Sequence, residues 1–182
     1  MTRTEDPIPK ILIRPATVAD AERIHSSVLG IARVMDGVDK VRCTVADLID
    51  YGFGPDPHFE AVIAEVDGAY AGMCLFFRSF STWQGRPGAY VQDLFVDDAF
   101  RGLGVGAKLL RRVAAIIRDR GGSYLRLSVD VQNSAAQAFY TRIDITVSDT
   151  EQIHAAYGET FLNLAAADSP PGGTLKRTGK QT

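Results

Sequence analysis

A glycine-rich turn in the middle of the chain has the residue types and the spacing of an anion-binding site. An apolar segment at 90–96 leads through two acids into this turn, and a segment with helical periodicity follows it. The turn consists of Arg101, Gly102, Leu103, Gly104, Val105 and Gly106. Glycines let backbone N–H groups approach a ligand, and a helix N-terminus adds unpaired donors and the positive end of its dipole. The pattern therefore predicts a cradle for a pyrophosphate.

The same turn also fits a dinucleotide-binding fingerprint when it is read as Gly102-x-Gly104-x-x-Ala107. That fingerprint requires a βαβ unit and an acid about 20 residues further on. The segments before the turn, at 59–68, 69–80 and 88–96, instead have the pattern of an antiparallel meander. The next apolar segment, at 124–131, contains Asp130 beside a polar turn. This context argues against a nicotinamide or flavin cofactor.

The turn resembles the acyl-coenzyme A signature of the GNAT acetyltransferase superfamily, in which Arg/Gln-x-x-Gly-x-Gly/Ala follows the fourth strand. About 30 residues later, the segment from Asn133 to Tyr140 resembles the helix that flanks the cofactor in that family. The resemblance implies acetyl-CoA as cosubstrate. It also implies the cofactor contacts, which are Leu94, Phe95, Val96, Arg101, Gly102, Leu103, Gly104, Val105, Gly106, Asn133, Ala136 and Tyr140. No group of His, Cys, Asp and Glu has the spacing of metal ligands, so no metal is implied.

Segments at 13–17, 47–54, 81–85 and 90–96 resemble the diamine (spermidine/spermine) acetyltransferase branch of that superfamily. In that branch, acidic side chains hold the polyamine cations. This chain has uncharged residues at three of the matching positions, and Asp93 remains. The resemblance therefore implies a smaller polyamine-like or amino-acid-like amine as the acceptor. The expected acceptor pocket is lined by Met35, Ser81, Trp83, Gln92 and Asp93.

The reaction implied is direct transfer of an acetyl group from acetyl-CoA to a primary amine. Tyr140 is the expected general acid for the departing thiolate, and a backbone N–H near Leu94 is the expected oxyanion donor. Asp93, or a water that it orients, is the first candidate for the base, with His25, His58 and His154 as alternatives. A protein N-terminal or lysine acetyltransferase and a non-catalytic acyl-CoA-binding module are the other two hypotheses. The resemblance further implies a homodimer.

The helices and strands that must position these residues are those of an α/β protein of GNAT type. We expect a mixed, mostly antiparallel sheet of about seven strands, flanked by about four helices and splayed at the central strand. The strands are predicted at 10–16, 59–66, 70–77, 88–96, 124–131, 143–148 and 159–164. Thr17 and Thr44 are the predicted N-caps of the first two helices, and Asp67-Gly68 predicts a hairpin turn.

Composition limits the class of protein and its partners. Of the 182 residues, 46% are hydrophobic and 23% are charged, as in a globular domain, and the net charge of −2 offers no general attraction to nucleic acid. The sequence has no apolar run of membrane-spanning length and no signal-peptide pattern. We therefore expect a cytoplasmic protein without a membrane or nucleic-acid partner. The predicted organisation is a flexible arm at 1–9, the acetyltransferase domain at 10–167 and a disordered tail at 168–182.

Overall fold

Five strands form one sheet in the computed structural model, which describes residues 9–167. In chain order they are β1 (Ile11–Pro15), β2 (Glu60–Val66), β3 (Ala69–Ser81), β4 (Arg86–Val96) and β5 (Leu125–Leu127). The order across the sheet is the same as the chain order. The first four strands pair antiparallel, whereas β5 pairs with β4 in parallel. β4 therefore has an antiparallel neighbour on one side and a parallel neighbour on the other.

Between residues 9 and 167, five α-helices accompany these strands. They are α1 (Ala21–Val34), α2 (Val45–Gly52), α3 (Val105–Asp119), α4 (Ser134–Thr141) and α5 (Gly158–Ala167). Short 3-10 turns span Val18–Asp20, Val38–Lys40 and Asp98–Phe100. α3 connects β4 to β5, because two adjacent parallel strands need a crossover between them. Among residues 9–167, no helix has the length and apolar content needed to span a membrane.

The sheet buries apolar side chains on both of its faces. On one face, α3 packs against alternate residues of β2, β3 and β4, and this core is formed by Val62, Ala64, Val66, Ala71, Cys74, Phe76, Ala89, Val91, Val105, Leu109, Leu110, Val113 and Ile117. On the other face, α1 and α2 pack against Ala61, Ile63, Met73 and Leu75 through Ile24 and Leu48. Successive side chains of a strand point to opposite faces, so β2 contributes to both cores.

Two of three local predictions are confirmed by the structure. Asp67 and Gly68 join β2 to β3 with positive φ values of 50° and 83°, which a tight hairpin turn requires at both positions. Thr44 caps α2, since its Oγ1 accepts a hydrogen bond from the backbone N of Asp47 at 3.1 Å. The predicted cap of the first helix at Thr17 differs from the structure: Asp20 is the N-cap of α1, and Thr17 precedes the 3-10 turn Val18–Asp20 without a side-chain cap hydrogen bond, since its hydroxyl donates to Oδ2 of Asp20 at 3.1 Å.

The predicted counts of seven strands and four helices are wrong. The segment at 143–148 contains no strand, because a turn follows α4 and Asp144 adopts a left-handed conformation with φ of 63°. The segment predicted as a strand at 159–164 lies within α5. Leu and Glu in this segment, and the alanines at 165–167 that end α5, have high helix propensity, which favours the helix where no strand partner is formed.

β5 is also shorter than predicted, and its shortness opens the sheet. Only Leu125–Leu127 pair with β4, opposite Ala89–Val91, although the sequence predicted a strand over 124–131. On the other side of β4, Leu75 lies opposite Asp93 and Phe76 lies opposite Val91, so Gln92 is the extra residue of a β-bulge. A bulge bends the strand and increases its twist. β4 and β5 therefore part after Val91, at the predicted central strand.

The described chain divides into two compact units, with the boundary between Ile145 and Thr146. The first unit contains the sheet and α1 to α4, and the second contains α5. The predicted arm at 1–9, apart from its last residue, and the predicted tail at 168–182 lie outside the described residues.

Candidate active site

A cleft of about 600 Å³ lies where β4 and β5 separate. Its walls come from the end of α1, the end of β4, the glycine turn with the start of α3, and α4. Beyond Val91, β3 is the only strand that pairs with β4 among residues 9–167. The second edge of β4 is therefore available to an extended ligand. The lining residues include Gly30, Ile31, Val34, Leu94, Phe95, Val96, Phe100, Arg101, Gly102, Gly104, Val105, Gly106, Asn133, Ala136, Phe139, Tyr140 and Arg142.

The glycine turn presents backbone donors to this cleft. Gly102 and Gly104 have φ values of 81° and 78°, in the region that L-residues rarely adopt. A Cβ at either position would meet no atom within 4 Å, so the space above both residues is open. Gly104 is the N-cap of α3, and it has no side chain that could accept a hydrogen bond at this end of the helix. The backbone N–H groups of the first helical turn are therefore not capped by a side chain of Gly104. This arrangement suits an anion.

Gly106 serves a different purpose in the same turn. A Cβ on Gly106 would lie 3.1 Å from Cζ of Phe139 and 3.5 Å from Cγ2 of Val96. Its missing side chain thus lets α4 approach the start of α3 and the end of β4. The half-buried side chains of Leu94 and Val96 pack against the α3-side core, and both residues line the cleft.

Arg101 and Leu103 of the glycine turn differ in whether they line the cleft. Arg101 lines the cleft, and its Nη2 lies 2.6 Å from Oδ1 of Asp98 in an exposed ion pair. Leu103 is 42% exposed and is the only residue of the turn that does not line the cleft. The sequence placed both among the cofactor contacts, and the structure brings Arg101 to the cleft wall with the glycines.

Asn133 lies at the N-terminus of α4, where its Oδ1 accepts a hydrogen bond from the backbone N of Ala136 at 3.0 Å. Its side-chain amide group donates to no other residue in the described range 9–167. The oxygen therefore fixes the helix start, while the NH₂ group remains a donor at the cleft wall. The cap and a ligand contact are compatible, as we expected.

Tyr140 lies in α4 and lines the cleft. Its ring packs edge-on against Phe139 with 5.1 Å between the ring centroids. No residue of the described chain forms a hydrogen bond with its hydroxyl group. Burial, with a smaller effect from Cys74, raises the pKa of Tyr140 to about 12. The phenol is thus fully protonated near neutral pH, and its proton is available to a ligand.

Asp93 lies at the bulge of β4, opposite Leu75 of the α1-side core. Burial raises the pKa of its carboxyl group, because an anion is less well solvated there. Within residues 9–167, Asp93 has no hydrogen bond or ion pair that would offset this cost. The pKa of the buried Cys74 thiol is raised to about 12 by burial and then by Asp93. Cys74 therefore interacts with both Asp93 and Tyr140, which places all three near one segment of the sheet.

The residues predicted for the acceptor pocket do not line the cleft. Met35 is the C-cap of α1, next to the lining residue Val34. Ser81 ends β3 and Trp83 lies in the following turn with 98% of its surface exposed. Ser81 pairs with Arg86, which is six residues from Gln92, or about 20 Å along an extended strand. Only Gln92 and Asp93 thus lie together at the bulge.

The alternative histidine bases lie outside the cleft lining. Nε2 of His25 donates a hydrogen bond to the backbone O of Cys43 at 2.9 Å, which indicates a structural role. His58 packs edge-on against Tyr51, with 5.5 Å between ring centroids. Within the range that the structure describes, no three His, Cys, Asp or Glu side chains cluster as metal ligands.

Sequence analysis missed two features of the cleft. Gly30 lies inside α1, and a Cβ there would come 2.5 Å from Cε2 of Phe95, so this glycine lets the helix close onto the end of β4. A glycine within a helical pattern was the available signal. Arg142 follows α4 and is the second arginine in the lining of the cleft, and no local pattern distinguishes it.

Comparison with known proteins gives this geometry a family. Residues 28–144 match the Acetyltransferase (GNAT) family. Thialysine N-epsilon-acetyltransferase of Bos taurus is 31% identical over 166 residues, which cover 85% of this chain and 97% of that protein. Spermidine/spermine N(1)-acetyltransferase-like protein 1 of Homo sapiens is 29% identical over 163 residues, which cover 84% of this chain and 23% of that protein.

A solved aminoglycoside N-acetyltransferase in complex with CoA has a similar fold, with a TM-score of 0.65 and 15% identity over 81% of this chain and 95% of that one. The two sequence relatives confirm the predicted diamine acetyltransferase branch. The predicted enzyme class, an acyl-CoA-dependent N-acetyltransferase, agrees with these relatives and with the family match. The chain belongs to the GNAT family of acetyltransferases.

Proposed function

We propose that this protein transfers the acetyl group of acetyl-CoA to the primary amine of a small polyamine-like or amino-acid-like acceptor by direct attack. The cleft carries this proposal, because it joins the glycine turn, the unpaired edge of β4 and Tyr140 in one space. The relatives named for thialysine and for spermidine/spermine support an amine acceptor. The solved acetyltransferase with bound CoA supports this cosubstrate for the fold.

Acetyl-CoA fits the donors that the cleft offers. The N–H groups of the glycine turn, from Gly102 to Gly106, would hold the pyrophosphate together with Arg101, and Arg142 adds a second cation. The backbone of Leu94 to Val96 would pair with the amide groups of the pantetheine arm. On the opposite wall, the NH₂ group of Asn133 and the backbone near Ala136 would meet the same arm.

Asp93 is the proposed base. Its carboxylate lacks a partner in the described chain, so it can accept a proton from the ammonium group of the acceptor, directly or through a water. Because the pKa of Asp93 is raised, it is closer to the pKa of an effective general base near neutral pH. Gln92 lies beside it and can orient the water or the amine through its amide. Met35, Ser81 and Trp83 stay predicted acceptor contacts, and the last two would meet only an acceptor that extends along β4.

Attack of the amine nitrogen on the thioester carbon forms the C–N bond and moves the electron pair to the carbonyl oxygen. The backbone N–H near Leu94 would stabilise that oxyanion. When the oxyanion collapses, the C–S bond breaks and the sulfur leaves as a thiolate. Tyr140 then donates a hydrogen bond or a proton to the sulfur, as the one cleft hydroxyl without a partner in the described residues.

The raised pKa of Tyr140 limits how it acts. A thiol of pKa ~8.5 is a stronger acid than a phenol of pKa about 12, and one pKa unit corresponds to ~1.4 kcal/mol. Complete transfer would thus be uphill by ~5 kcal/mol unless burial also makes the thiolate more basic. Tyr140 therefore stabilises the leaving sulfur mainly as a hydrogen-bond donor that transfers its proton late.

The test measures release of the CoA thiol from acetyl-CoA with polyamines, lysine analogues, amino acids, aminoglycosides and short peptides as acceptors. We expect release with one class of small amines and a fall in kcat of about 100-fold in Tyr140→Phe. That variant keeps the ring that packs on Phe139 and loses no intramolecular hydrogen bond known in the described chain, so its Tm should stay unchanged.

Tyr70→Phe is the matched control. Burial also raises the pKa of Tyr70 to about 12, but Tyr70 is hydrogen-bonded to Ser27 at 2.6 Å and does not line the cleft. This control should lose stability by about 1 kcal/mol and keep its kcat. Tight CoA binding with no thiol release for any acceptor would favour a non-catalytic acyl-CoA-binding module. Release with peptides alone would favour a protein acetyltransferase.

We also propose that the catalytic domain spans 10–167 and that the enzyme is a cytoplasmic homodimer, as the resemblance to the diamine acetyltransferase branch implies. Light scattering coupled to gel filtration of the full chain measures the oligomeric state. A monomeric mass at micromolar concentration would contradict the dimer without affecting the catalytic proposal.

A further inference from the structure

Arg101 has an intramolecular partner at the place where the proposed cosubstrate needs its charge. Its Nη2 lies 2.6 Å from Oδ1 of Asp98, and the two side chains are 58% and 84% exposed. Arg101 lines the cleft beside Gly102 and Gly104. The carboxylate of Asp98 therefore forms an ion pair with the guanidinium group that a pyrophosphate would contact.

The 3-10 turn Asp98–Phe100 holds this ion pair in a fixed place. Oδ1 of Asp97 accepts a hydrogen bond from the backbone N of Ala99 at 3.0 Å, and the backbone N of Arg101 donates to the backbone O of Asp98 at 3.3 Å. Phe100 packs against the α3-side core. The backbone that carries Asp98 is therefore held by contacts that do not involve the side chain of Arg101.

We propose that Asp98 is a positioning residue that weakens the binding of CoA and speeds its release after each turnover. In the unliganded protein its carboxylate competes for Arg101, and in the complex it repels the negative pyrophosphate. This inference rests on the proposed pyrophosphate contact of Arg101. Asp97 is the neighbouring acid but is committed to the turn through Ala99, so only Asp98 has this effect on Arg101.

The test compares CoA affinity and CoA dissociation rate in Asp98→Asn and in the unchanged protein. Exposed ion pairs are weak, so we expect binding to tighten by about two- to five-fold, with a slower dissociation rate. The gain should shrink at high ionic strength, because salt screens both effects. Pantetheine, which has no pyrophosphate, should bind equally to both proteins. A merely structural role of Asp98 would change the binding of both ligands.

Asp119→Asn is the matched control, because it removes the same charge from an exposed pair with Arg118 at 2.8 Å that does not line the cleft. We expect no change in CoA affinity for this control. In an Arg101→Gln background, Asp98→Asn should tighten CoA binding less than it does in the unchanged protein.

The outcomes separate the two proposals. Unchanged or weaker CoA binding in Asp98→Asn, while Arg101→Gln weakens binding, overturns the inference and leaves the pyrophosphate contact intact. If Arg101→Gln does not weaken CoA binding, the pyrophosphate contact itself fails and the inference fails with it. Equal tightening in Asp119→Asn also overturns the inference, since a general charge effect then explains the gain.

Discussion

Replacing Gly102 with alanine separates the two reasons for which a glycine can stand in the turn. Gly102 has a φ of 81° and lines the cleft. Gly121, which follows α3, has the same φ of 81°, and at both positions a Cβ would meet nothing within 4 Å. Gly121 does not line the cleft. The two positions therefore share the backbone strain of an added Cβ and differ in the neighbouring ligand site.

The cost in stability follows from the backbone alone. A left-handed conformation costs an L-residue roughly 1–2 kcal/mol, and alanine recovers about 0.4–1 kcal/mol by restricting the unfolded chain. Each variant should thus lose about 1 kcal/mol, which lowers the Tm of a domain of this size by about 2–4 °C. Because neither Cβ meets another atom, no steric term distinguishes Gly102→Ala from Gly121→Ala.

CoA affinity should fall in Gly102→Ala alone. The new methyl group would enter the open space where the proposed pyrophosphate approaches the backbone. Hydrogen bonds to a charged group contribute about 1.5–3 kcal/mol each, so loss of one lowers the affinity by about 10- to 100-fold. Calorimetric titration with CoA measures the affinity, and thermal denaturation measures the Tm of each variant.

Equal CoA affinities for the two variants, with equal losses of Tm, would refute the reasoning. The turn would then need its glycine only for backbone conformation. A loss of Tm much larger in Gly102→Ala than in Gly121→Ala would show instead that the space above Gly102 is not open, and the binding result would lose its control.

Two carboxylates provide the remaining predictions. Asp93→Asn should lower kcat/KM and remove the acid limb from the pH profile of kcat/KM, because activity needs the ionised carboxylate. An unchanged pH profile would show that another group is the base. The same variant should raise the Tm at pH 7, because a half-buried acid whose folded pKa is raised loses stability as the pH rises through that pKa. Asp20 behaves oppositely: its hydrogen bonds to Arg14 lower its pKa from 3.8 to about 2, so its stabilisation is present above pH 4 and is lost as the pH falls toward 2. Asp20→Asn should cost roughly 2 kcal/mol at pH 7 and flatten this acid dependence, which denaturant titrations at several pH values measure.

The sequence by itself determined the features that depend on neighbouring residues. The positive φ values at Asp67-Gly68 and at the glycine turn follow from residue types that tolerate such a backbone. The cap of α2 at Thr44 needs only the backbone three residues on. The anion cradle likewise combines a local turn with the helix that it starts. The hairpin turn and the cap at Thr44 are confirmed, because no distant contact is needed to form them, and the anion cradle stays a prediction.

Only the tertiary structure decided which of these features meet. The bulge at Gln92 depends on the register between β3 and β4, and this register sets where β4 and β5 part. The burial that raises the pKa of Asp93, and the contact of Gly30 with Phe95, need α1 packed against β4. The segment at 159–164 became a helix, because a short apolar run has no fixed period and its conformation depends on the partner it finds. Register, burial and strand partners arise from residues far apart in the chain, which a local pattern does not encode.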